Sequence, residues 1–156
     1  MNRLLVWLAT GFGLGLSPFA SGTVGSIPGL ALAALISPLA WGWQAAVCAV
    51  LTILAVPICG AGEDRYGRKD DGRIVADEYM TFPICLIGLP WVLNIWLLPV
   101  AFVVNRVMDI IKPPPARQSQ ALRGGLGIVM DDFLSSLYAL GLNHGIWYCA
   151  HRWLGA

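Results

Sequence analysis

Five carboxylates in this chain stand where apolar surroundings make charge costly. Asp77 and Glu78 open a long uncharged run, Asp109 lies just past the end of that run, and Asp131 and Asp132 open another. Ionisable side chains at such positions are functional candidates by default, because burying them is expensive and something must compensate. Carboxylates arriving from three helix ends supply a set of oxygen donors. An oxygen-ligand cage suits a hard divalent cation, magnesium first, which keeps several waters and accepts phosphate oxygens. All five are therefore candidate catalytic and metal-binding residues. A plainer account competes: Asp and Glu are favoured in the first turn of a helix, which explains Asp77, Glu78, Asp131 and Asp132 one at a time. It fits Asp109 poorly, because a carboxylate at a helix C-terminal end faces the negative pole of the dipole and calls for a nearby cation.

Arg106, Asp109 and Lys112 recur at three-residue spacing and so project from roughly one face of a helix. They can form a salt-bridged stripe, or hold a metal with Asp109 while Arg106 and Lys112 clamp a phosphate. The second use is favoured, since a stripe serving solvation alone would not end an otherwise uncharged span. Gly124, Gly125 and Gly127 precede Asp131-Asp132. Glycines let a backbone turn tightly against a ligand, and amides at a helix N-terminus attract anions, so these three are candidate substrate contacts; a flexible turn is the alternative. The stretch Gly11–Ser26 mixes glycines and hydroxyls. It reads equally as a re-entrant loop that offers Thr23 and Ser26 to a lipid headgroup or as a loose helix-packing segment.

The elements that must carry these residues are apolar. Of 156 residues 57% are hydrophobic and 12% charged, against about 25% charged in soluble domains, so the bilayer is the natural solvent for the excess apolar surface. The length suits one domain, 1–156. Four segments lack charge: Gly25–Ala40, Gln44–Gly62, Thr81–Asn105 and Phe133–Ala150. Trp41-Gly42-Trp43 reads as a break with interfacial aromatics after the first. Pro57 is expected to kink the second. Gly88, Pro90 and Trp91 divide the third into a hairpin of a short and a longer helix. The expected fold is an all-α polytopic membrane bundle of about four to five spanning or re-entrant helices. The Leu4–Leu16 stretch either spans, re-enters or lies on the membrane.

All nine acids fall between Glu63 and Asp132, in two loops that also carry most of the Lys and Arg. The turns at Trp41–Trp43 and Gly88–Trp91 are uncharged. By the positive-inside rule both charged loops are cytoplasmic and both neutral turns face away, so residues of the two loops meet at one face. The net charge of +1 gives no electrostatic case for nucleic acid. Cys48, Cys59, Cys85 and Cys149 lie singly in apolar runs, which points to reduced, buried packing residues and away from a disulfide framework or zinc site. His144 and His151 are too few for a histidine metal centre.

Four blocks in order make the chain resemble the phosphatidylglycerophosphatase A family of the bacterial inner membrane: Gly11–Ser26, Gly72–Tyr79, Asn105–Pro115 and Gly124–Asp132. The resemblance implies magnesium-dependent removal of the terminal phosphate from phosphatidylglycerophosphate, giving phosphatidylglycerol and inorganic phosphate. It also implies that Asp77, Glu78, Asp109, Asp131 and Asp132 form the acidic site with Arg106 and Lys112 beside it. The chain departs from the family pattern at Ala76, where Trp is expected, at Tyr79 for Phe, and at Ser21 for Pro. One carboxylate would act as general base on a water, or would itself attack to form an aspartyl-phosphate. Two other readings compete. A magnesium-dependent phosphatidyltransferase would show one long Asp-Gly…Ala-Arg…Gly…Asp…Asp motif, which is missing here. A small ion-coupled transporter would place ionisable residues at the bilayer midplane between repeats, and the uncharged runs have none.

Overall fold

The computed structural model describes residues 3–154, which are helical with no strand among them. Eight α-helices follow in order: α1 Arg3–Ala9, α2 Ser21–Gly25, α3 Ile27–Ile36, α4 Trp41–Tyr66, α5 Ala76–Thr81, α6 Leu97–Ile111, α7 Ala116–Ser119 and α8 Gly125–Leu154. Two 3-10 turns, Leu14–Leu16 and Phe82–Leu86, join them.

Length separates the helices into two kinds. α4, with 26 residues, and α8, with 30, are about 39 and 45 Å long at 1.5 Å per residue. They are the two helices among the described residues that are long and apolar enough to cross a membrane. The others are shorter. α1 has 7 residues, about 10 Å, so the Leu4–Leu16 stretch does not span, and Gly25–Ala40 supplies only the 10 residues of α3. The third apolar run does divide as the Gly88–Trp91 punctuation indicates, into the 3-10 turn Phe82–Leu86 and the 15-residue α6.

Two boundaries differ from the sequence reading. Trp41-Gly42-Trp43 is the first turn of α4 and not a break. The chain turns earlier, between Ser37 and Ala40, where Pro38 lacks an amide hydrogen to continue α3 and the Gln44 side-chain amide donates to the Leu39 carbonyl at 2.9 Å. α8 begins at Gly125, eight residues before the uncharged run Phe133–Ala150, so Asp131 and Asp132 lie inside the helix in its second turn and do not open it. They are not caps, which removes the plainer account of that pair. α4 continues through Pro57.

Three apolar clusters hold the helices together, and small residues set how closely they approach. One cluster joins α1, α4, α5 and the start of α8 through Ala9, Ala55, Cys59, Tyr79 and Val129. Another joins Phe82 and Leu86 to Leu97 and Ala101 of α6 and Ala139 of α8. At the charged end a Lys112–Asp131 ion pair links α6 to α8. Ala101 precedes Lys112 while Ala139 follows Asp131, so α6 and α8 run antiparallel. At the crossing of α4 and α8, a Cβ on Gly125 would lie 2.0 Å from the Val56 carbonyl oxygen. Only glycine allows the two backbones to meet there.

The helices gather the acidic residues at one end, and the last turn of α8 carries His151 and Arg152 towards the other. Lys69, in the loop after α4, donates to the Leu122 carbonyl before α8 at 2.7 Å, so the two charged loops meet as expected. At the other end the Gly88 amide donates to Gln44 Oε1 at 2.9 Å, and His144 Nε2 lies 2.9 Å from the Ile87 carbonyl. Between these ends large apolar side chains face outward, among them Val50, Ile53, Leu54 and Val103, each more than 45% exposed. An apolar belt of this extent marks a membrane-facing surface. Cys48, Cys59 and Cys85 are buried as expected, whereas Cys149 is exposed on α8; all four are free thiols.

Candidate active site

The charged end holds a continuous ionic chain that draws on α5, α6 and α8. Ser26, between α2 and α3 and fully buried, donates its hydroxyl to Glu78 Oε2 at 2.8 Å. The same Glu78 oxygen lies 2.7 Å from Arg106 Nη1, and that nitrogen lies 3.1 Å from Asp109 Oδ2. Asp109 Oδ1 is 3.5 Å from Lys112 Nζ, which also pairs with Asp131 Oδ2. Gln120, just after α7, donates its amide to Asp131 Oδ2 at 2.9 Å. The cation that Asp109 requires at its helix end is thus present twice, one turn to each side.

Local sequence dictates several of these placements. Lys112 caps α6 in the left-handed region, φ +48°, with its amide on the Met108 carbonyl at 2.8 Å. Pro113 next in sequence disfavours helical geometry at Lys112, so the helix ends there. A non-glycine residue in the left-handed region costs about 1–2 kcal/mol, strain of the kind held at functional sites. The turn carries the ammonium between Asp109 and Asp131. Gly22 lies close against the Glu78–Arg106 pair on the other side. A Cβ at that position would lie 2.4 Å from Glu78 Oε1 and 2.9 Å from Arg106 Nη2.

Burial shapes the charge states. It pushes the Asp77 carboxyl well above the usual carboxylate range, and the nearby Glu78 charge adds to the effect. Burial also raises Glu78, against the pull of Arg106 and the Ser26 hydrogen bond. For Lys112 burial alone would lower the ammonium, but Asp131, Asp109 and Asp132 together more than reverse it, so the group stays charged. Asp71 lies outside this chain of contacts. Its carboxylate accepts from Arg73 at 2.7 and 2.9 Å and is held down at about 2.

The donor set fits a hard cation in its chemistry. Asp77 Oδ1 and Asp131 Oδ1 are buried carboxylate oxygens with no hydrogen-bond partner, the kind of group that a cation or a donor would satisfy. The carboxylates do not close into a cage by themselves. Among the described residues no three His, Cys, Asp or Glu side chains converge tightly enough to hold one ion; Arg106 stands between Glu78 and Asp109, and Lys112 between Asp109 and Asp131. Asp132, buried at 5% exposure, comes within hydrogen-bonding reach of Asp109.

Of the residues singled out from sequence, Glu78, Asp109, Asp131, Arg106, Lys112 and Ser26 lie in one connected network, with Asp77 and Asp132 buried beside it. Thr23 is exposed on α2. Gly124 takes φ +64° with open space around it, whereas Gly125 is packed on α4 and Gly127 lies against the Leu122 carbonyl. Sequence reasoning missed Gln120 and Lys69, polar residues in loops with no spacing to mark them. It also missed Glu63, whose Oε2 is buried without a partner at the charged end of α4. Its signal was available: it is the first acid after the Gln44–Gly62 run.

Fold and site together describe an all-helical protein with two helices long and apolar enough to cross a membrane and an ionic site at one end of an apolar body. Comparison with known proteins makes the class specific. The family model for phosphatidylglycerophosphatase A matches residues 7–147. A phosphatidylglycerophosphatase A of Escherichia coli is 34% identical over 94% of this chain and 83% of its own length. Its namesake in Haemophilus influenzae is 36% identical over 90% and 87%. A Bacteroides thetaiotaomicron protein named "Putative phosphatidylinositol-3-phosphatase" is 37% identical over 87% and 89%. No solved structure matches significantly. The chain belongs to the phosphatidylglycerophosphatase A family and is a phosphatase.

Proposed function

We propose that this protein hydrolyses the terminal phosphate of phosphatidylglycerophosphate to give phosphatidylglycerol and inorganic phosphate, with magnesium required. It does so as a multi-pass protein of the bacterial inner membrane, its site at the cytoplasmic face and its shorter helices completing a bundle around α4 and α8. The observation that carries this reading is the Glu78–Arg106–Asp109–Lys112–Asp131 chain at the mouth of an apolar body. A substrate with its tails in lipid and its phosphate in water needs a site at that level.

Arg106 and Lys112 orient the phosphate and offset charge that develops on its oxygens as the bond to glycerol breaks. They can exchange carboxylate partners for phosphate oxygens, since both already bridge two carboxylates. With Arg106 and Lys112 turned to phosphate oxygens, Asp77, Glu78, Asp109, Asp131 and Asp132 would be free to draw together on magnesium, which would supply Lewis-acid polarisation of the phosphate and a more acidic water. Ser26 fixes the Glu78 carboxylate, and Gln120 fixes Asp131. One acidic side chain takes the proton of the attacking water, or attacks phosphorus itself. The low exposure of the site strengthens each of these electrostatic interactions.

The test is phosphate release by detergent-purified protein from phosphatidylglycerophosphate, with and without magnesium, beside phosphatidic acid and phosphatidylinositol 3-phosphate. Magnesium-dependent release that is greatest on phosphatidylglycerophosphate supports the reading. A preference for the inositol lipid would move the substrate to the headgroup named for the Bacteroides relative. Release from none of them by folded protein would overturn it.

A further inference from the structure

Directly beneath the carboxylates lies a second layer of polar side chains for which the ionic chain has no use. Asn105 sits four residues before Asp109 on α6, and Ser135 and Ser136 sit four residues after Asp131 and Asp132 on α8. Thr81 sits four residues after Asp77 on α5. In each helix this is one turn, about 6 Å, further into the apolar body. α6 and α8 run antiparallel, with the Lys112–Asp131 pair above and Ala101 with Ala139 in one apolar cluster below. That register sets Asn105 at the level of Ser135.

The layer is buried: Ser135 is 0% exposed, Ser136 1%, Thr81 1% and Asn105 6%. Thr81 donates to the Asp77 carbonyl at 2.7 Å. The other three are not satisfied. Asn105 Oδ1, Ser135 Oγ and Ser136 Oγ are all buried with no hydrogen-bond partner. Three unpartnered neutral polar groups at one level of an otherwise apolar bundle are costly, and a packed helix interface would be more stable with alanine or leucine in their place. None carries charge, so a phosphate or a metal is a poor match. Hydroxyl and amide groups suit a neutral hydroxyl-bearing ligand.

We propose that Asn105, Ser135 and Ser136 form the subsite for the hydroxyl of the polyol that links the terminal phosphate to the lipid. This rests on the phosphatase reading above. With the terminal phosphate at the level of Arg106 and Lys112, the next atoms towards the tails are the three-carbon bridge and its hydroxyl. The bridge hydroxyl is neutral and so matches this layer one turn below the carboxylates, while the anionic phosphodiester on the far side of the bridge has to stay at the level of the headgroups, clear of the apolar cluster below. The layer thereby distinguishes a phosphate carried on a polyol from one attached directly to diacylglycerol.

The experiment compares phosphatidylglycerophosphate with its deoxy analogue, in which propanediol replaces the bridging glycerol, in the wild-type protein and in Ser135→Ala, Ser136→Ala and Asn105→Ser variants. The wild type is expected to favour the hydroxylated lipid by about three- to tenfold in kcat/KM, the size of one or two neutral hydrogen bonds. The preference should shrink towards unity in the variants. Equal kcat/KM for the two lipids in the wild type would overturn the proposal without reference to any variant. So would variants that lose turnover on both lipids alike, which marks a packing role, or that keep the full preference. Hydrolysis of neither lipid by folded wild-type protein would sink the phosphatase reading itself, and the subsite with it.

Discussion

Gly22 and Glu78 leave no room for a methyl group between them. A Cβ on Gly22 would lie 2.4 Å from Glu78 Oε1 and 2.9 Å from Arg106 Nη2, so the glycine lets α2 close over the ion pair. Gly22→Ala should push Glu78 and Arg106 apart and lower turnover by about tenfold or more, because displacements near 1 Å are enough to cost that much. Gly42, in the first turn of α4, has nothing within 4 Å of its Cβ position, and Gly42→Ala should leave turnover unchanged. Steady-state kinetics on the two variants check the contrast.

Gly125 makes a different prediction from the anion-binding role that its place before Asp131 suggests in the sequence. Its Cβ would fall 2.0 Å from the Val56 carbonyl oxygen and 2.6 Å from the Gly60 amide nitrogen, both backbone atoms that cannot move aside. Gly125→Ala should separate α4 from α8 and destabilise the fold by about 1–3 kcal/mol, as overpacking does. A fall in the thermal midpoint in detergent, greater than that of Gly141→Ala in the open part of the same helix, is the expected result.

Lys69 couples the two charged loops through the Leu122 carbonyl at 2.7 Å and the Gln120 carbonyl, and Gln120 in turn steadies Asp131. Lys69→Met should cost about 1 kcal/mol or less in stability while loosening the segment that carries Gln120. Hydrogen exchange should rise in residues 118–124 and stay unchanged in α4. Uniform loosening would contradict a local latch.

Acid should weaken cation binding. Burial raises both Asp77 and Glu78, so as pH falls these groups take up protons sooner than ordinary carboxylates and a divalent ion must displace those protons to bind. Apparent magnesium affinity should therefore climb from about pH 5 to pH 8, with proton release on binding that is largest at the acid end. Calorimetric titration in buffers of differing ionisation enthalpy reads both quantities. A flat affinity across that range would show that these two carboxyls are not ligands.

The parts of this site that were legible in the sequence are those governed by local spacing. Arg106, Asp109 and Lys112 share a helix face, and the structure makes them consecutive links of one ionic chain. The position of Asp109 at a helix end called for a cation, and two are there. The meeting of the charged loops followed from charge distribution alone, and Lys69 makes the contact. What sequence did not reveal depends on where helices begin and how they cross. The glycines at 124–127 read as ligand contacts or a flexible turn ahead of a helix opened by Asp131, but Gly125 starts α8 and is packed on the α4 backbone. That shift carries Asp131 and Asp132 into the second turn and Ser135 and Ser136 to the level of Asn105. Gln120 gave no signal, since it lies in the loop before α8 and its contact with Asp131 depends on how that loop folds back onto the helix.

The most direct measurement is phosphate release from phosphatidylglycerophosphate by the wild-type protein and by Asp131→Asn, with helicity and thermal midpoint recorded for both. Asp131 joins Lys112 and Gln120 at the end of the ionic chain and keeps one buried oxygen without a partner. The predicted result is magnesium-dependent release by the wild type and a loss of about a hundredfold or more in a variant that stays folded in the membrane. Wild-type turnover retained by folded Asp131→Asn would contradict the account.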